Sequence, residues 1–223
     1  MKVALVTPVY GNESTLEELA ARVAAALDAA GLPWTLRFVV DASPDASLAV
    51  ASSLAAHDDR LFVTALPANA GQNRALLAGL AVEVAADAWV CLDADLQDPP
   101  EAVPSLVGRL AAGDVGAVFA GRRGAYQGRG RLVTGRLHRA ALSRLTGVPA
   151  DAGAFLAVDR TARDALVALA SPSVVAGVGR AGIRATSVPV VRAARPSGVS
   201  AWTGSARVRQ STRTLAWAWR TSV

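Results

Sequence analysis

The chain has 223 residues, of which 52% are hydrophobic and 18% are charged, a composition that supplies a large buried core. This length and composition favour one globular domain and exclude collagen, a coiled coil and an acidic or disordered tail. Residues 1–101 carry fourteen acidic side chains and five basic ones, whereas residues 102–223 carry four acidic side chains and eighteen basic ones. An acidic half suited to a metal ion therefore precedes a basic half suited to phosphates, nucleic acid or a membrane surface.

The first half of the chain alternates predicted strands and helices. Short apolar runs predict strands over residues 3–6, 36–40, 61–65 and 88–92, and Ala- and Leu-rich segments predict helices over 17–30, 46–57 and 71–86. Ser14 or Thr15 is expected to cap the first helix, and Thr7-Pro8 is expected to end the first strand. This alternation predicts an α/β fold with a doubly wound, parallel sheet, whose ligands bind beyond the carboxyl ends of the strands.

The second half is less regular. A helix is predicted over residues 102–112, a strand over 117–120, a mobile loop rich in Gly and Arg over 121–135, a helix over 136–145 and a strand over 154–158. Residues 188–191 contain Pro189 and are predicted to form an edge strand.

The C-terminal segment is predicted to be an amphipathic basic helix. If residues 203–221 are helical, Val208, Leu215 and Trp219 form one stripe beside a stripe of arginines. Such a helix either packs on the core of its own domain or lies on a membrane surface. We therefore divide the chain into a domain over residues 1–201 and a C-terminal helix over 202–223.

Targeting signals and spans are not expected. The longest uncharged run, residues 165–179, is shorter than the roughly 20 apolar residues that cross a bilayer. The first residues do not resemble a signal peptide. Cys91 is the only cysteine, so a disulfide framework is excluded and a reducing cytoplasm is expected.

Carboxylates follow the fourth predicted strand at a spacing suited to a metal ion. Asp93 and Asp95 stand at i and i+2 just past residues 88–92, with Gln97 two residues further on. Two carboxylates placed in this way can converge on one divalent cation, which can neutralise a diphosphate. The alternative is an acidic loop that caps a helix beginning near Pro100.

Residues 93–101 resemble the metal loop of family-2 glycosyltransferases with the GT-A fold, in particular the branch of dolichol-phosphate mannose synthase and bacterial undecaprenyl-phosphate sugar transferases. Five further segments resemble that branch in the same order. Residues 7–13 and 39–45 resemble its two nucleotide-binding loops, and residues 69–79 resemble the segment ahead of the metal strand. Residues 151–155 resemble its acceptor-side carboxylate motif, and residues 195–202 resemble the stretch ahead of its membrane-interface helices. The resemblance covers nearly the whole chain and implies a single GT-A domain, a Rossmann-like, mostly parallel sheet with helices on both faces.

The resemblance also implies an inverting, metal-dependent transfer of a sugar from a UDP- or GDP-sugar to a polyprenyl phosphate or a small soluble acceptor, in the cytoplasm or at the inner face of the membrane. Mg²⁺ or Mn²⁺ is expected at Asp93, Asp95 and Gln97, and the expected catalytic residues are Asp95 and Asp151. The expected nucleotide-sugar contacts are Pro8, Tyr10, Glu13, Asp41, Asn69, Gly71, Gln72, Asp93, Ala94 and Arg122. The expected acceptor or phosphate contacts are Arg123, Arg129, Arg131, Arg195 and Ser200.

Several of these residues have a second interpretation. Glu13 and Asp45 can act as helix caps or turn residues, and the arginines of the 121–135 segment can form a solvated basic loop. Asp151 can be a general base, a group that positions an acceptor phosphate, or a turn residue after Pro149.

Other functions agree less well with the sequence. A sugar nucleotidyltransferase needs a Gly-rich loop where this chain has Thr7-Pro8, and a dinucleotide-dependent oxidoreductase needs a G-x-G-x-x-G after Val6. A non-catalytic module that binds a nucleotide sugar or a membrane surface stays open, because Val40 and Ala154 stand where many relatives carry acids. Nucleic-acid binding ranks last, because aromatic side chains are not interleaved with the basic ones.

Overall fold

Seven strands form one sheet in the computed structural model, which describes residues 1–123, 143–144, 147–192 and 214. For residues 122 and 123 the description covers the backbone only. The strands are β1 (Val3–Val9), β2 (Trp34–Val40), β3 (Leu61–Ala65), β4 (Ala88–Cys91), β5 (Ala117–Arg123), β6 (Leu156–Val158) and β7 (Ala185–Val191). Their order across the sheet is β3-β2-β1-β4-β6-β5-β7. Only β6 among them runs antiparallel to its neighbours, so the carboxyl ends of the other six strands share one edge.

Six α-helices of the described chain cover the two faces of this sheet. They are α1 (Leu16–Ala29), α2 (Ser47–His57), α3 (Gln72–Val82), α4 (Val103–Leu110), α5 (Arg160–Leu169) and α6 (Val174–Arg180), and a 3₁₀ turn over Pro100–Ala102 precedes α4. Helices α1, α2 and α4 pack on one face, and α3, α5 and α6 pack on the other. This arrangement confirms the predicted doubly wound, mostly parallel sheet with helices on both faces.

Strands β1 and β4 are largely apolar, and both of their faces are buried. In β1, Val3 and Leu5 point into the core beneath α1, whereas Ala4 and Val6 point into the core beneath α3, and all four are fully buried. Such continuous apolar runs are typical of parallel strands enclosed by helices. The same runs made these strands recognisable in the sequence.

Pro8 does not end β1 as predicted. The strand continues through Thr7 and Pro8 to Val9, and Pro8 pairs with Val39 of β2. On its other side β1 pairs with β4 only as far as Val6. Pro8, which has no N–H, faces this side beyond the end of β4, so no hydrogen bond of the ladder is lost. Because proline is tolerated wherever a strand is locally an edge, the ladder with β2 is kept.

Other predicted boundaries were also wrong. Helix α3 ends at Val82 rather than at 86, α4 ends at Leu110, and β6 begins at Leu156 rather than at 154. The last strand begins at Ala185, three residues earlier than predicted, and lies at an edge as predicted. Strand β5 runs on to Arg123, so Arg122 and Arg123 end a strand instead of lying on the predicted 121–135 loop.

Helices α5 and α6 were not predicted, although each begins at a polar cap. The Asp159 side chain accepts a hydrogen bond from the Ala162 N–H, and the Ser173 side chain accepts one from the Ala176 N–H. These caps are the local signal that marks the start of a helix.

Several predicted segments lie outside the described residues: the remainder of the 121–135 loop, most of the 136–145 helix and the tail over 202–223, of which Thr214 alone is described, as helical and buried. Across the described residues, every helix is too short or too polar to cross a bilayer.

Candidate functional site

The candidate site lies at the edge of the sheet where six strands end. The loops after β1, β2 and β4 meet there, because these three strands are neighbours and run in the same direction. Strand β6 runs the other way, so the segment that leads into it, with Asp151, lies at the same edge. This is the place where ligands bind in doubly wound folds.

The loop that follows β4, residues 93–98, alternates between partly exposed and buried side chains. Asp93, Asp95 and Gln97 are partly exposed, whereas the residues between and after them, Ala94, Leu96 and Asp98, are buried. The three predicted metal ligands therefore lie on the accessible side of one loop. Leu96 has a φ of 58°, a left-handed conformation that costs energy for a branched residue and that clusters at functional sites.

Two hydrogen bonds hold this loop locally. Thr15, at the start of α1, donates its hydroxyl to the carbonyl of Ala94 over 2.7 Å, and the Gln97 N–H donates to Oδ1 of Asp95 over 3.1 Å. Thr15 was predicted as a possible cap of α1, but its side chain makes no capping hydrogen bond. Its hydroxyl instead holds the loop of residues 93–98.

A buried ion pair holds the end of the same loop. Arg192 donates to both carboxylate oxygens of Asp98, from Nε over 2.5 Å and from Nη2 over 2.8 Å. The two side chains are 6% and 3% exposed. Burial opposes the charge of Arg192, but the negative charge of Asp98, and then those of Asp93 and Asp95, outweighs it, so the pKa of the guanidinium lies above its ordinary value.

A second connection runs from β2 to the metal loop through the start of α3. The buried carboxylate of Asp41 accepts hydrogen bonds from the N–H groups of Ala70 and Gly71 over 2.6 and 2.8 Å. The next residue, Gln72, donates from Nε2 to Oδ1 of Asp93 over 2.5 Å. Both Asp41 and Gln72 were predicted to contact the nucleotide sugar; in this structure Asp41 anchors a loop and Gln72 orients Asp93.

Glu13 and Asp45 lock the loops after β1 and β2 together. The Ala46 N–H donates to Oε2 of Glu13 over 2.7 Å, and the Glu13 N–H donates to Oδ2 of Asp45 over 3.1 Å. Burial raises the pKa of Asp45, but hydrogen bonds from Ser43 and Ser47 outweigh it and lower the pKa to about 2. The contacts of both acids therefore agree with their interpretation as cap or turn residues. Together these contacts fix the two loops against each other at the entrance of the site, and we call this pair of loops the platform.

The oxygen atoms of Asp93, Asp95 and Gln97 are suited to a cation that is also bound by the phosphate oxygens of a diphosphate. Within the described ranges, the acidic, His and Cys side chains do not form a group of three or more that would enclose a metal by itself. Mg²⁺ is usually bound by one or two carboxylates together with substrate phosphates, so Asp93 and Asp95, with the amide oxygen of Gln97, are the donor set that such an ion takes.

Asp151 is partly buried at the other side of this edge. Ser187 of β7 donates its hydroxyl to Oδ2 of Asp151 over 3.2 Å. The carboxylate also lies against Gly121 of β5, where a Cβ atom would overlap it. Asp151 therefore contacts β5 at Gly121 and β7 at Ser187 rather than serving only the turn after Pro149.

The remaining predicted contacts divide into two groups. Tyr10 is 40% exposed and Asn69 is exposed, and both stand on the loops around the site; Pro8 is partly buried and Ala94 is buried. Arg122 and Arg123 end β5 at the same edge. Four predicted residues lie outside the described part of the chain: Arg129, Arg131, Arg195 and Ser200.

The sequence did not reveal the residues that support this site. Asp98 and Arg192 are 94 positions apart, and Thr15, Gly121 and Ser187 carry no motif of their own. For Asp98 one signal was available, since it continues the every-second-residue pattern of Ala94 and Leu96 and is therefore expected to point inward. For Arg192 the only signal was its place directly after the last strand.

A family model described as glycosyl transferase family 2 matches residues 4–164. The chain belongs to this family. Curated relatives of this family-2 glycosyltransferase include undecaprenyl-phosphate 4-deoxy-4-formamido-L-arabinose transferases. The one from Salmonella paratyphi A is 40% identical over 50% of this chain and 34% of its own length, and the one from Shewanella sediminis is 38% identical over 66% and 44%. The chain thus spans less than half the length of these relatives.

Solved structures show which fold this family-2 glycosyltransferase has. Glucosyl-3-phosphoglycerate synthase from Mycobacterium tuberculosis, in complex with Mn²⁺, UDP and phosphoglyceric acid, matches with a TM-score of 0.68 and 21% identity over 99% of this chain and 78% of that one. A mannosyltransferase from Pyrobaculum calidifontis, in complex with GDP-Man and Mn²⁺, matches with a TM-score of 0.61 and 18% identity over 99% and 72%. The likeness confirms the predicted GT-A fold.

Proposed function

We propose that the protein transfers a sugar, with inversion, from a nucleotide-diphosphate donor to a polyprenyl phosphate, with Mg²⁺ or Mn²⁺ as cofactor. One observation carries the proposal: Asp93, Asp95 and Gln97 lie on the accessible side of a fixed loop, beside the loops of β1 and β2. The names of the curated relatives support undecaprenyl phosphate as the acceptor class, and the Mn²⁺, UDP and GDP-Man complexes of structural neighbours support the donor class and the metal.

The donor would lie with its diphosphate against the metal loop and its nucleoside over the ends of β1 and β2. Asp93, Asp95 and Gln97 would hold the cation, which neutralises the charge that develops on the departing diphosphate. Gln72 keeps Asp93 aimed at this position. The loops that Glu13 and Asp45 fix would form the floor beneath the nucleoside, with Tyr10 at its rim.

The acceptor would approach from the side of β5 and β7. A phosphate oxygen attacks the anomeric carbon, the bond from that carbon to the diphosphate oxygen breaks, and the nucleoside diphosphate leaves with the electron pair. Because an acceptor phosphate is already ionised, Asp151 has no proton to remove from it and would act as a positioning residue, through the arginines that hold the phosphate. Arg122 and Arg123, together with Arg129, Arg131, Arg195 and Ser200, are the proposed partners of its negative charge.

Ligand-induced stabilisation identifies the donor. We expect Mn²⁺ together with a UDP-sugar or a GDP-sugar to raise the melting temperature, because a ligand that binds only the folded state stabilises it. Transfer is then measured with that donor, labelled in the sugar, and two acceptors in separate reactions, a short polyprenyl phosphate and phosphoglyceric acid. If product forms with phosphoglyceric acid alone, the proposed acceptor is a small soluble molecule and the polyprenyl phosphate is wrong.

Two variants test the metal site. Asp95→Asn should abolish transfer while the protein stays folded, because the amide carries no negative charge toward the cation. The control is Asp114→Asn, an exposed acid beyond α4 whose loss should leave the rate unchanged. Transfer by Asp95→Asn at the parent rate would refute the metal assignment, and donor binding without transfer to either acceptor would favour a non-catalytic binding module.

We also propose that the C-terminal segment, residues 202–223, brings the enzyme to the inner face of the membrane. If this segment is helical, its apolar stripe and the neighbouring arginine stripe support this placement. Sedimentation with anionic vesicles at low salt should bring the protein down, and salt should release it because exposed charges are screened. Protein that stays in the supernatant would instead favour a helix packed on its own domain.

A further inference from the structure

We propose that the buried Asp98–Arg192 ion pair is a positioning device for the metal loop, residues 93–98. Neither residue is placed to bind the metal: Asp98 is buried on the inner side of the loop, opposite Asp93, Asp95 and Gln97. The inference rests on the proposed function, because it assigns these two residues a role toward the divalent cation.

The ion pair joins two parts of the sheet that are not neighbours. Asp98 follows β4, and Arg192 follows β7, with β6 and β5 between them in the sheet. Three strand spacings amount to about 14 Å, and Arg192 directly follows Val191, the last residue of β7, so the loop after β4 and the Arg192 side chain together span this distance. The pair therefore ties the loop to the carboxyl end of β7, and the predicted acceptor contacts Arg195 and Ser200 come after that strand in the sequence.

The geometry of the pair is suited to fixing an orientation. The planar guanidinium donates to both carboxylate oxygens, and a two-point contact of this kind restricts rotation as well as distance. A buried ion pair contributes little net stability over apolar residues of the same size, because both charges lose their hydration. Its specific contribution here is the orientation it gives to the loop.

Arg192 also compensates the negative charge of the loop. Its guanidinium interacts with Asp93 and Asp95 as well as with Asp98. Three carboxylates within six residues repel one another, and one fixed positive charge at the buried end lets the loop keep its shape before a cation binds. With the Thr15 hydroxyl on Ala94 and the left-handed turn at Leu96, the inner side of the loop is anchored along its length.

The test is Mn²⁺ binding, measured from the loss of the free Mn²⁺ signal in electron paramagnetic resonance, with Mn²⁺ alone and with UDP or GDP added. The variants are Arg192→Lys, which keeps the charge but loses the two-point contact, and the double variant Asp98→Asn with Arg192→Met, which removes both charges. The matched control is Arg109→Met with Asp114→Asn, which removes an exposed two-point pair remote from the site.

We expect the double variant to stay folded at the assay temperature, with a lowered melting temperature because the amide at position 98 is buried without a partner. It should bind Mn²⁺ about 10- to 100-fold more weakly, the loss usual for outer partners of metal ligands. Arg192→Lys should fold and bind several-fold more weakly, so the test holds even if the double variant does not fold. The control pair should bind Mn²⁺ as the parent does.

Mn²⁺ affinity within twofold of the parent in a folded Arg192→Lys or double variant would overturn the inference, since the pair would then act only in folding. Tighter binding in either variant would overturn it as well, because Arg192 would then be a charge that competes with the cation. A parent protein that binds no Mn²⁺, with or without nucleotide, would overturn the proposed function and the inference together.

Discussion

Gly121 lies against the carboxylate of Asp151, and this contact allows the role of Asp151 to be tested without changing its chemistry. In Gly121→Ala, the new Cβ atom would overlap Oδ2 of Asp151 and would lie 3.0 Å from its Cγ and 3.3 Å from Cβ of Ser187. Both neighbours belong to the proposed acceptor side of the site. The carboxylate has to move, or β5 and β7 have to separate.

The size of the effect follows from the packing. An extra methyl group in a filled space costs about 1–3 kcal/mol. That cost falls on the folded state. If the displaced Asp151 no longer helps to position the acceptor, the transition state loses the equivalent of one hydrogen bond to a charged group, about 1.5–3 kcal/mol, which lowers kcat/KM for the acceptor about 10- to 150-fold. Donor binding should be unaffected, because the metal loop and the loops after β1 and β2 lie on other strands.

Gly116→Ala is the matched control at the opposite end of β5. There the new Cβ atom would lie 2.8 Å from Cγ2 of Ile183 and 3.2 Å from Oδ2 of Asp159, which is a similar overlap remote from the site. Urea unfolding should show both variants destabilised, and initial rates at saturating donor should show a loss of acceptor kcat/KM in Gly121→Ala alone. Equal acceptor kcat/KM in the two variants would refute the assignment of Asp151 to the acceptor.

Three further changes test the platform and the core. The depressed pKa of Asp45, about 2, means that its contribution to stability is present above its ordinary pKa and is lost as the pH falls through 2. Asp45→Asn should therefore lower the free energy of unfolding by about 1 kcal/mol at pH 7, allowing for solvent screening, and by less between pH 4 and 2. A difference in unfolding free energy that stays the same at every pH in urea titrations would contradict this. Gly108→Ala, in α4 with open space around it, should raise the unfolding free energy by about 0.5–1 kcal/mol, and a loss in the same assay would contradict the open space at this position. Burial raises the pKa of the Cys91 thiol to about 12, so an aromatic disulfide reagent at pH 8 should react with it only in urea, and rapid native labelling would show that the central strands open.

The sequence was sufficient for the parallel half of the sheet because that half depends on local signals. Largely apolar runs mark β1, β2 and β4, and the acids that follow β2 and β4, Asp41 and Asp93, mark the edge where ligands bind. Asp93 and Asp95 could be assigned to this edge for the same reason. The limits of β1 could not be predicted, because Pro8 is allowed only where β4 has already ended, and the length of a neighbouring strand is not a local property.

The direction of the acidic side chains was harder to predict than their location. A carboxylate at the end of a parallel strand can face a ligand or the N–H groups of the next loop, and both outcomes place it at the same sequence position. Asp41 faces the N–H groups of Ala70 and Gly71, and Glu13 faces that of Ala46. Which partner is used depends on the path of a loop from another part of the chain, and a single sequence does not encode that path in a readable way.

The spacing of the metal loop follows from the alternation of its side chains. Odd-numbered residues from Asp93 to Gln97 are partly exposed, so groups that share a cation must stand two positions apart rather than side by side. The even-numbered positions are then left for anchoring, and each uses a different force: a hydrogen bond to the carbonyl of Ala94, apolar burial of Leu96 and an ion pair at Asp98. Because the two sets alternate, every ligand has an anchored neighbour, and the loop can hold its shape without help from the metal it is proposed to bind.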